Sequence, residues 1–347
     1  MVRNITIENF RGIKSLSVEN LSRVNLFFGR NNAGKSTVLE TVFLLSGMTN
    51  PRLLVLCNAV RGFNGIQDFS FFFHNFNTAS PVSIISEGDS ELFTRKLRME
   101  LSDSQSYTQD FDGKTAAGLI DNKAFQVLVL NASSEGETYR NEFRLESTTE
   151  TEENGKIGII TSYSEKLVCK YIAPRNTGTS LEELDDILKD KQEQNLIESL
   201  SLIDGRIKDF VVSRKNIMVD IGLDARLPLN MMGDGARKFF NLIVSLYKCR
   251  NGILLVDEID NGLHYSAMEN LWKTVMSMAK KYNVQVFATT HNMDSLKGLN
   301  ASLAESGNDA HDVSFYKVLR KNDDETKILH YAYKDFSVVL ENGNEVR

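Results

Sequence analysis

The sequence predicts an α/β fold with a mostly parallel core sheet and a β-rich insertion, and three observations carry that expectation. The apolar run Val24 to Phe28 leads through a glycine-containing loop into a segment whose apolar residues recur at helical spacing. Two further apolar runs, Ile253-Leu254-Leu255-Val256 and Val284 to Ala288, alternate with helical segments, the pattern of parallel strands buried on both faces. Between residues 81 and 175 the pattern changes to short alternating strands, such as Leu97 to Leu101 and Phe125 to Leu130, separated by Gly, Asn and Ser turns.

The elements follow in order. Ile5, Ile7 and Phe10, the bend at Arg11-Gly12-Ile13, then Leu16 and Val18 read as a hairpin. After Val24 to Phe28 and the loop beginning at Gly29, Val38, Leu39, Val42, Phe43 and Leu45 mark a helix with Gly47 as its expected C-cap. Six phenylalanines between Phe63 and Phe76 form a core segment beneath a sheet. The acidic run Glu146 to Glu153 is a solvated tip within the β-rich insertion. Ser180 with Glu183 opens an amphipathic helical segment spanning about 180–210, too short for a coiled-coil arm. The stretch MMGDGARKF (231–239) precedes a helical run from Phe239 to Tyr247. The strand at Ile253, a helix through Trp272 and the strand ending in Thr289-Thr290-His291 come next. Two strands, Val313 to Leu319 and Lys327 to Tyr333, close the chain around a turn at Lys321 to Asp324. No repeat appears, and residues 1–347 read as one domain.

Composition limits the function classes. The chain has 347 residues, 41% hydrophobic and 25% charged, the balance of a globular protein with a sizeable core. Its three cysteines, Cys57, Cys169 and Cys249, are scattered, which suggests neither a disulfide framework nor a cysteine metal site and fits a cytoplasmic setting. The N-terminal segment lacks a signal-peptide core, and no apolar run is long enough for a bilayer. A net charge of -6 gives no general basic footprint, so DNA binding is permitted but not indicated.

The chemistry concentrates at three places. Gly29-Arg30-Asn31-Asn32-Ala33-Gly34-Lys35-Ser36 matches G-x-x-x-x-G-K-[ST] between a strand and a helix. In such a loop the backbone amides of Asn31, Asn32, Ala33, Gly34 and Thr37 wrap a phosphate chain, Lys35 reaches the β/γ-phosphates and Ser36 holds Mg²⁺. Asp257 and Glu258 end a buried strand; Asp257 would support the metal and Glu258 would act as general base. About thirty residues on, His291 ends another strand at the same sheet edge and would contact a γ-phosphate. His264 reads either as a loop residue at a subunit contact or as a helix-start residue. Roughly 220 residues separate Lys35 from Asp257, so a large insertion divides one site, as in ABC-type heads. Asn122-Lys123-Ala124-Phe125 ends in a residue that cannot accept from a guanine edge, which favours ATP over GTP.

With these motifs in order, the chain resembles the ABC-type ATPases of the SMC, RecF and OLD group, most closely small stand-alone OLD-like AAA-family ATP-binding proteins. The likeness is carried by IENFRGIKSL, GRNNAGKST, MGDGARK, ILLVDEIDNGLHYS, VFATTHN and the ending LENGNEVR. It implies a P-loop NTPase fold, a Mg²⁺-dependent ATPase, and a head-to-tail dimer or higher oligomer. It also implies that Gly233, Asp234 and Gly235 face ATP held by a second protomer, that Arg11 lies against the nucleotide phosphates, and that Asn261 sits in the loop coupling two sites. The signature departs from Leu-Ser-Gly-Gly-Gln and shares chiefly its final glycine. A metal-linking glutamine is expected between the phosphate loop and the signature, where Gln67 is the candidate. About fifty residues follow His291, mostly strand pairs, with no fused nuclease of the OLD kind. The resulting expectation is an ATPase that assembles on ATP and regulates a separately encoded effector, such as a nuclease or toxin, in antiphage defence. A RecF-like DNA-repair ATPase and a nucleotide-gated scaffold with little turnover are the alternatives.

Overall fold

The computed structural model describes residues 1–103, 126–145, 164–174, 181–202, 204–213, 216–306, 309–322 and 325–341. The acidic run from Glu146, Ser180, Asp323, Asp324 and most of the LENGNEVR ending lie outside these residues.

In chain order the first part holds β1 (Val2–Phe10), β2 (Ile13–Val18), β3 (Val24–Phe28), α1 (Lys35–Gly47) and α2 (Arg52–Val60). There follow β4 (Val82–Gly88), β5 (Arg95–Asp103), β6 (Gln126–Ser134), β7 (Glu137–Leu145) and β8 (Cys169–Ile172). The middle consists of α3 (Leu181–Lys189), α4 (Glu193–Ser201), β9 (Asp209–Ser213), β10 (Asn216–Asp220) and β11 (Leu227–Pro228). The last part is α5 (Asp234–Lys248), β12 (Ile253–Val256), α6 (Met268–Lys281), β13 (Gln285–Thr290), α7 (Met293–Ser306), β14 (Val313–Asn322), β15 (Glu325–Tyr331) and α8 (Tyr333–Glu341).

The core sheet has the order β15-β14-β3-β13-β12-β8, parallel throughout except for the β14–β15 hairpin. A second, fully antiparallel sheet runs β2-β1-β4-β5-β6-β7. The β-rich stretch thus continues the N-terminal hairpin, and its last strand, β8, forms the edge of the core sheet beside β12. A small sheet, β11-β10-β9, was not anticipated, nor was the closing helix α8 where strands and tail were expected.

Helix α1 lies between the two large sheets. Val38, Leu39, Val42 and Phe43 pack with Phe27, Leu255 and Phe287 of the core sheet and with Ile7, Ile84 and Met99 of the antiparallel sheet. A helix buried on nearly all sides presents no stripe to solvent, so Thr37, Glu40, Thr41 and Ser46 are buried together with its apolar residues. Each such side chain contributes about 1.5–3 kcal/mol of transfer free energy. The opposite face of the core sheet, through Leu26, Leu254, Val256 and Val286, is covered by α5, α6 and α7, with Phe240, Trp272 and Leu299 at the contact.

Gly47 is not the C-cap of α1. It is the last helical residue, and the left-handed position falls to Met48 at φ 55°. A Cβ at Gly47 would stand 2.2 Å from Leu53 Cδ1, so a larger residue there would require the Leu53 side chain to move. The terminal carbonyls of Leu45 and Ser46 accept from buried Arg95 Nη1 of β5, each at 3.1 Å. Of the six phenylalanines, Phe69, Phe72 and Phe73 are buried, whereas Phe63 and Phe76 are exposed. Buried Gln285 ties the sheets together by bonding both the N–H and the C=O of Val2 at 2.8 Å.

Candidate functional site

The phosphate loop joins β3 to α1 at the carboxyl edge of the core sheet. Gly29 takes φ 139° where a Cβ would meet the Val318 carbonyl oxygen at 2.4 Å, so only glycine lets the loop turn against β14. Asn32 and Gly34 also have positive φ, and α1 begins without a side-chain cap. Its first N–H groups are left for an anion, in the favourable field of the helix start. Lys35 folds over this loop, its Nζ donating to the carbonyls of Gly29 at 2.9 Å and Arg30 at 2.8 Å. Burial lowers its pKa, opposed by Asp257 and Glu258. The ammonium is held ready for an anionic ligand by weak neutral acceptors.

Strand β12 delivers the acidic pair. Asp257 Oδ1 accepts from Ser36 Oγ at 3.0 Å across 221 residues of sequence and from Thr289 Oγ1 at 2.5 Å. Its other oxygen, Oδ2, accepts from the Tyr171 hydroxyl at 3.4 Å. Burial, and then Asp257, push the tyrosine pKa well up, so Tyr171 stays a donor. Glu258 follows in a left-handed conformation, φ 51°. Its Oε1 stands 3.7 Å from His291 Nδ1, at the end of β13. Asp260 is buried and accepts from Thr290 Oγ1 at 2.6 Å, which fixes the loop between β12 and α6.

Beside these parts lies an open cleft of about 540 Å³ lined by Gly29, Arg30, Asn31, Asp260, Asn261 and His291 among others, with Lys35, Ser36, Asp257 and Glu258 set behind its wall. The structure therefore brings Asn31, Lys35, Ser36, Asp257, Glu258, Asn261 and His291 to one edge, with Ala33, Thr37 and Gly34 in the supporting turn. Gly233, Asp234 and Gly235 do not line that cleft. They start α5, again without a side-chain cap, and Asp234 is exposed beside Arg237. Gly235 packs on the 260–263 loop of its own chain, where a Cβ would stand 2.6 Å from the Gly262 carbonyl oxygen.

Arg11 is elsewhere. Its Nε lies 2.7 Å from Glu40 Oε2, its Nη2 bonds Asn58 Oδ1 at 3.1 Å, and its guanidinium sits over the Phe72 ring at 4.8 Å. Arg61 completes the cluster, 2.7 Å from Glu40 Oε1 and 3.2 Å from Thr37 Oγ1. Glu40 is fully buried on α1, and a carboxylate there requires such partners. The arginine beside the hairpin bend thus neutralises a buried acid on α1, the helix that begins at the phosphate loop. Gln67 is exposed ahead of the turn at Phe69, and none of the hydrogen bonds of Ser36 or Asp257 involves it. His264 caps the turn at Tyr265–Ala267, its Nδ1 2.9 Å from Ser266 Oγ.

Tyr171, Thr289 and Lys238 were missed in the sequence. Thr289 had a signal: two threonines at the end of an otherwise apolar buried strand, QVFATT, need hydrogen-bond partners. Tyr171 and Lys238 had none, because their roles arise only when β8 and α5 meet β12.

Comparison with known proteins fits this geometry. Residues 24–296 match the family described as AAA domain, putative AbiEii toxin, Type IV TA system. An ATP/GTP phosphatase of Helicobacter pylori is 20% identical over 334 residues, covering 88% of this chain and 89% of that protein. An uncharacterised protein of Methanocaldococcus jannaschii is 50% identical over 44 residues, 13% of this chain and 20% of its own length. Among solved structures, an SMC head bound to the C-terminal winged-helix domain of ScpA aligns with TM-score 0.52 and 12% identity, covering 95% of this chain and 97% of that one. An SMC head from Pyrococcus furiosus bound to the C-terminal domain of ScpA gives 0.51 and 9%, covering 99% of each. Among the described residues no helix is long and apolar enough to cross a membrane. With its phosphate loop, acidic strand and histidine strand assembled on one sheet edge of an SMC-head-like fold, the chain belongs to this AAA-domain family and has the fold of an ABC-type ATPase head.

Proposed function

We propose that this protein binds ATP with Mg²⁺, hydrolyses it, and assembles head-to-tail on ATP to control a separately encoded effector. The hydrogen bond from Ser36 to Asp257 carries the first part, since it joins the phosphate loop to the acidic strand at 3.0 Å. A hydroxyl and a carboxylate oxygen held together at the loop's helix are hard donors suited to Mg²⁺, which takes few protein ligands and completes its shell with phosphate and water. Ser36 and Asp257 would hold the metal, which when bound neutralises charge on the β- and γ-phosphates. Lys35 would exchange its two carbonyl acceptors for phosphate oxygens. Glu258 would take the proton of the attacking water, and His291, 3.7 Å from it, would donate to the γ-phosphate side of the cleft.

Self-assembly is supported by the second uncapped helix start. Gly233 to Gly235 begin α5 with no side-chain cap, and the resemblance to SMC, RecF and OLD heads has these N–H groups facing the ligand of a second copy. Control of a nuclease or toxin in antiphage defence is supported by the family description and by the likeness to heads that were solved with a bound partner domain. The defining test is Glu258→Gln. ATP binding is expected to persist, kcat to fall about 100-fold or more, and an ATP-dependent oligomer to accumulate in sedimentation velocity. Normal turnover by this variant would remove Glu258 from the mechanism.

A further inference from the structure

Glu258 is a non-glycine residue in left-handed backbone conformation at the reacting edge, φ 51°. Such a conformation costs about 1–3 kcal/mol and persists only where neighbours over-determine it. Two buried side chains do so here from opposite sides. The Thr289 hydroxyl accepts from the Glu258 N–H at 2.8 Å while donating to Asp257 Oδ1 at 2.5 Å. The Lys238 ammonium, on α5, donates to the Glu258 carbonyl at 2.5 Å. Thr289 is 0% exposed and Lys238 4%, so neither is displaced by water.

We infer that Thr289 and Lys238 are positioning residues that clamp both polar groups of the Glu258 backbone and thereby aim its carboxylate. A lysine buried among apolar residues of α5 loses its hydration, and burial lowers its pKa despite the nearby Asp260, Glu258 and Asp257. What it gains is the field of these three carboxylates and the carbonyl of a strained residue, which also accepts from the Asn261 N–H at 3.0 Å. Thr289 does two jobs with one hydroxyl, because donation to Asp257 leaves its lone pairs for the Glu258 N–H. The metal-side carboxylate and the base are therefore registered to each other through a single side chain on β13.

This inference rests on the proposed ATPase reaction, which wild-type turnover tests by itself: a wild type that binds but never hydrolyses ATP refutes that reaction. Given turnover, Thr289→Val keeps shape and loses the hydroxyl, Thr289→Ser keeps the hydroxyl, and Lys238→Met keeps the stem and loses the ammonium. Misplacing a catalytic group by about 1 Å costs on the order of 100-fold. Thr289→Val and Lys238→Met are expected to lose about 10- to 100-fold in kcat with KM for ATP within about 3-fold of wild type. Thr289→Val alone is expected to raise the Mg²⁺ concentration needed for half-maximal rate, because only it also loosens Asp257. Thr289→Ser is expected to recover most of the rate. Wild-type kcat in Lys238→Met, or a serine variant as impaired as the valine variant while equally stable in urea, would overturn the clamp. Should the valine variant fail to fold, Lys238→Met decides alone.

Discussion

Replacing Gly235 with alanine should displace a loop and slow catalysis within one chain. The added methyl carbon would stand 2.6 Å from the Gly262 carbonyl oxygen and 3.3 Å from Leu263 Cδ2. Ordinary contact begins near 3.4 Å, so α5 or the 260–263 loop must retreat by roughly 0.8 Å. The loop is not free to do so, because Asp260 is tied to Thr290 at 2.6 Å and the Asn261 N–H to the Glu258 carbonyl at 3.0 Å. Overpacking of this kind costs about 1–3 kcal/mol. The displacement reaches the Glu258 peptide, where a shift of that size lowers turnover on the order of 10- to 100-fold. Gly233→Ala is the comparison: its Cβ meets nothing within 4 Å, but φ is +90°, so the cost is backbone strain. With ψ at 167° the conformation is one that essentially only glycine adopts, and the strain is about 1–3 kcal/mol. Urea unfolding, amide hydrogen exchange of residues 258–263 and steady-state ATPase kinetics separate the two. Both variants should lose stability, while only Gly235→Ala should speed exchange in the loop. Unchanged loop exchange together with wild-type kcat in Gly235→Ala would refute the reasoning.

Ser36→Ala removes the hydroxyl that meets Asp257, and should raise the Mg²⁺ requirement strongly while leaving the unfolding midpoint nearly unchanged, measured by titrating Mg²⁺ at saturating ATP. Glu40→Ala leaves Arg11 and Arg61 without their shared buried partner, and should cost about 3–5 kcal/mol in urea unfolding. Cys57 and Cys249 are buried, and burial raises both thiol pKa values. In the native protein at pH 8.5 both should resist iodoacetamide that labels them quickly in urea. Because these groups are raised on folding and ionise near their ordinary range of about 8.5 when unfolded, stability should be complete below that pH and decline above it. Unfolding free energies at pH 7.5 and 9.5 check the sign.

Local strings carried much of this molecule. The phosphate loop, Asp257-Glu258 and His291 were legible because each needs only a strand end and a fixed spacing, and the structure sets their strands side by side as β3, β13 and β12. Arg11 has the chemistry of an anion ligand at a glycine bend near a phosphate loop, and its partnership with Glu40 was not read from the sequence. The contrary clue was Glu40, a lone acid in the apolar run TVLETVFLL, which had to find a cation. Helices α2, α7 and α8 were not anticipated. The β-rich stretch was recognised by its alternation, but alternation says nothing about which sheet a strand joins, so neither its union with the hairpin nor the place of β8 could be read. The same limit hid Tyr171 and Lys238, whose partners belong to a strand and a loop they do not adjoin in sequence.

The place of β3 has a consequence for the protein's birth. Its two sheet neighbours are β13 and β14, so the strand that leads into the phosphate loop has no parallel partner until residues 285–317 exist. At about 5–20 residues per second, that wait is roughly 15–60 s of translation. Through it β3 has no strand partner, and a chain truncated before Gln285 carries the loop sequence without the strands that flank it. Truncations ending before residue 285 therefore lack both neighbours of β3, and when pulse-labelled they should be cleared by proteases rather than persist as ATP binders.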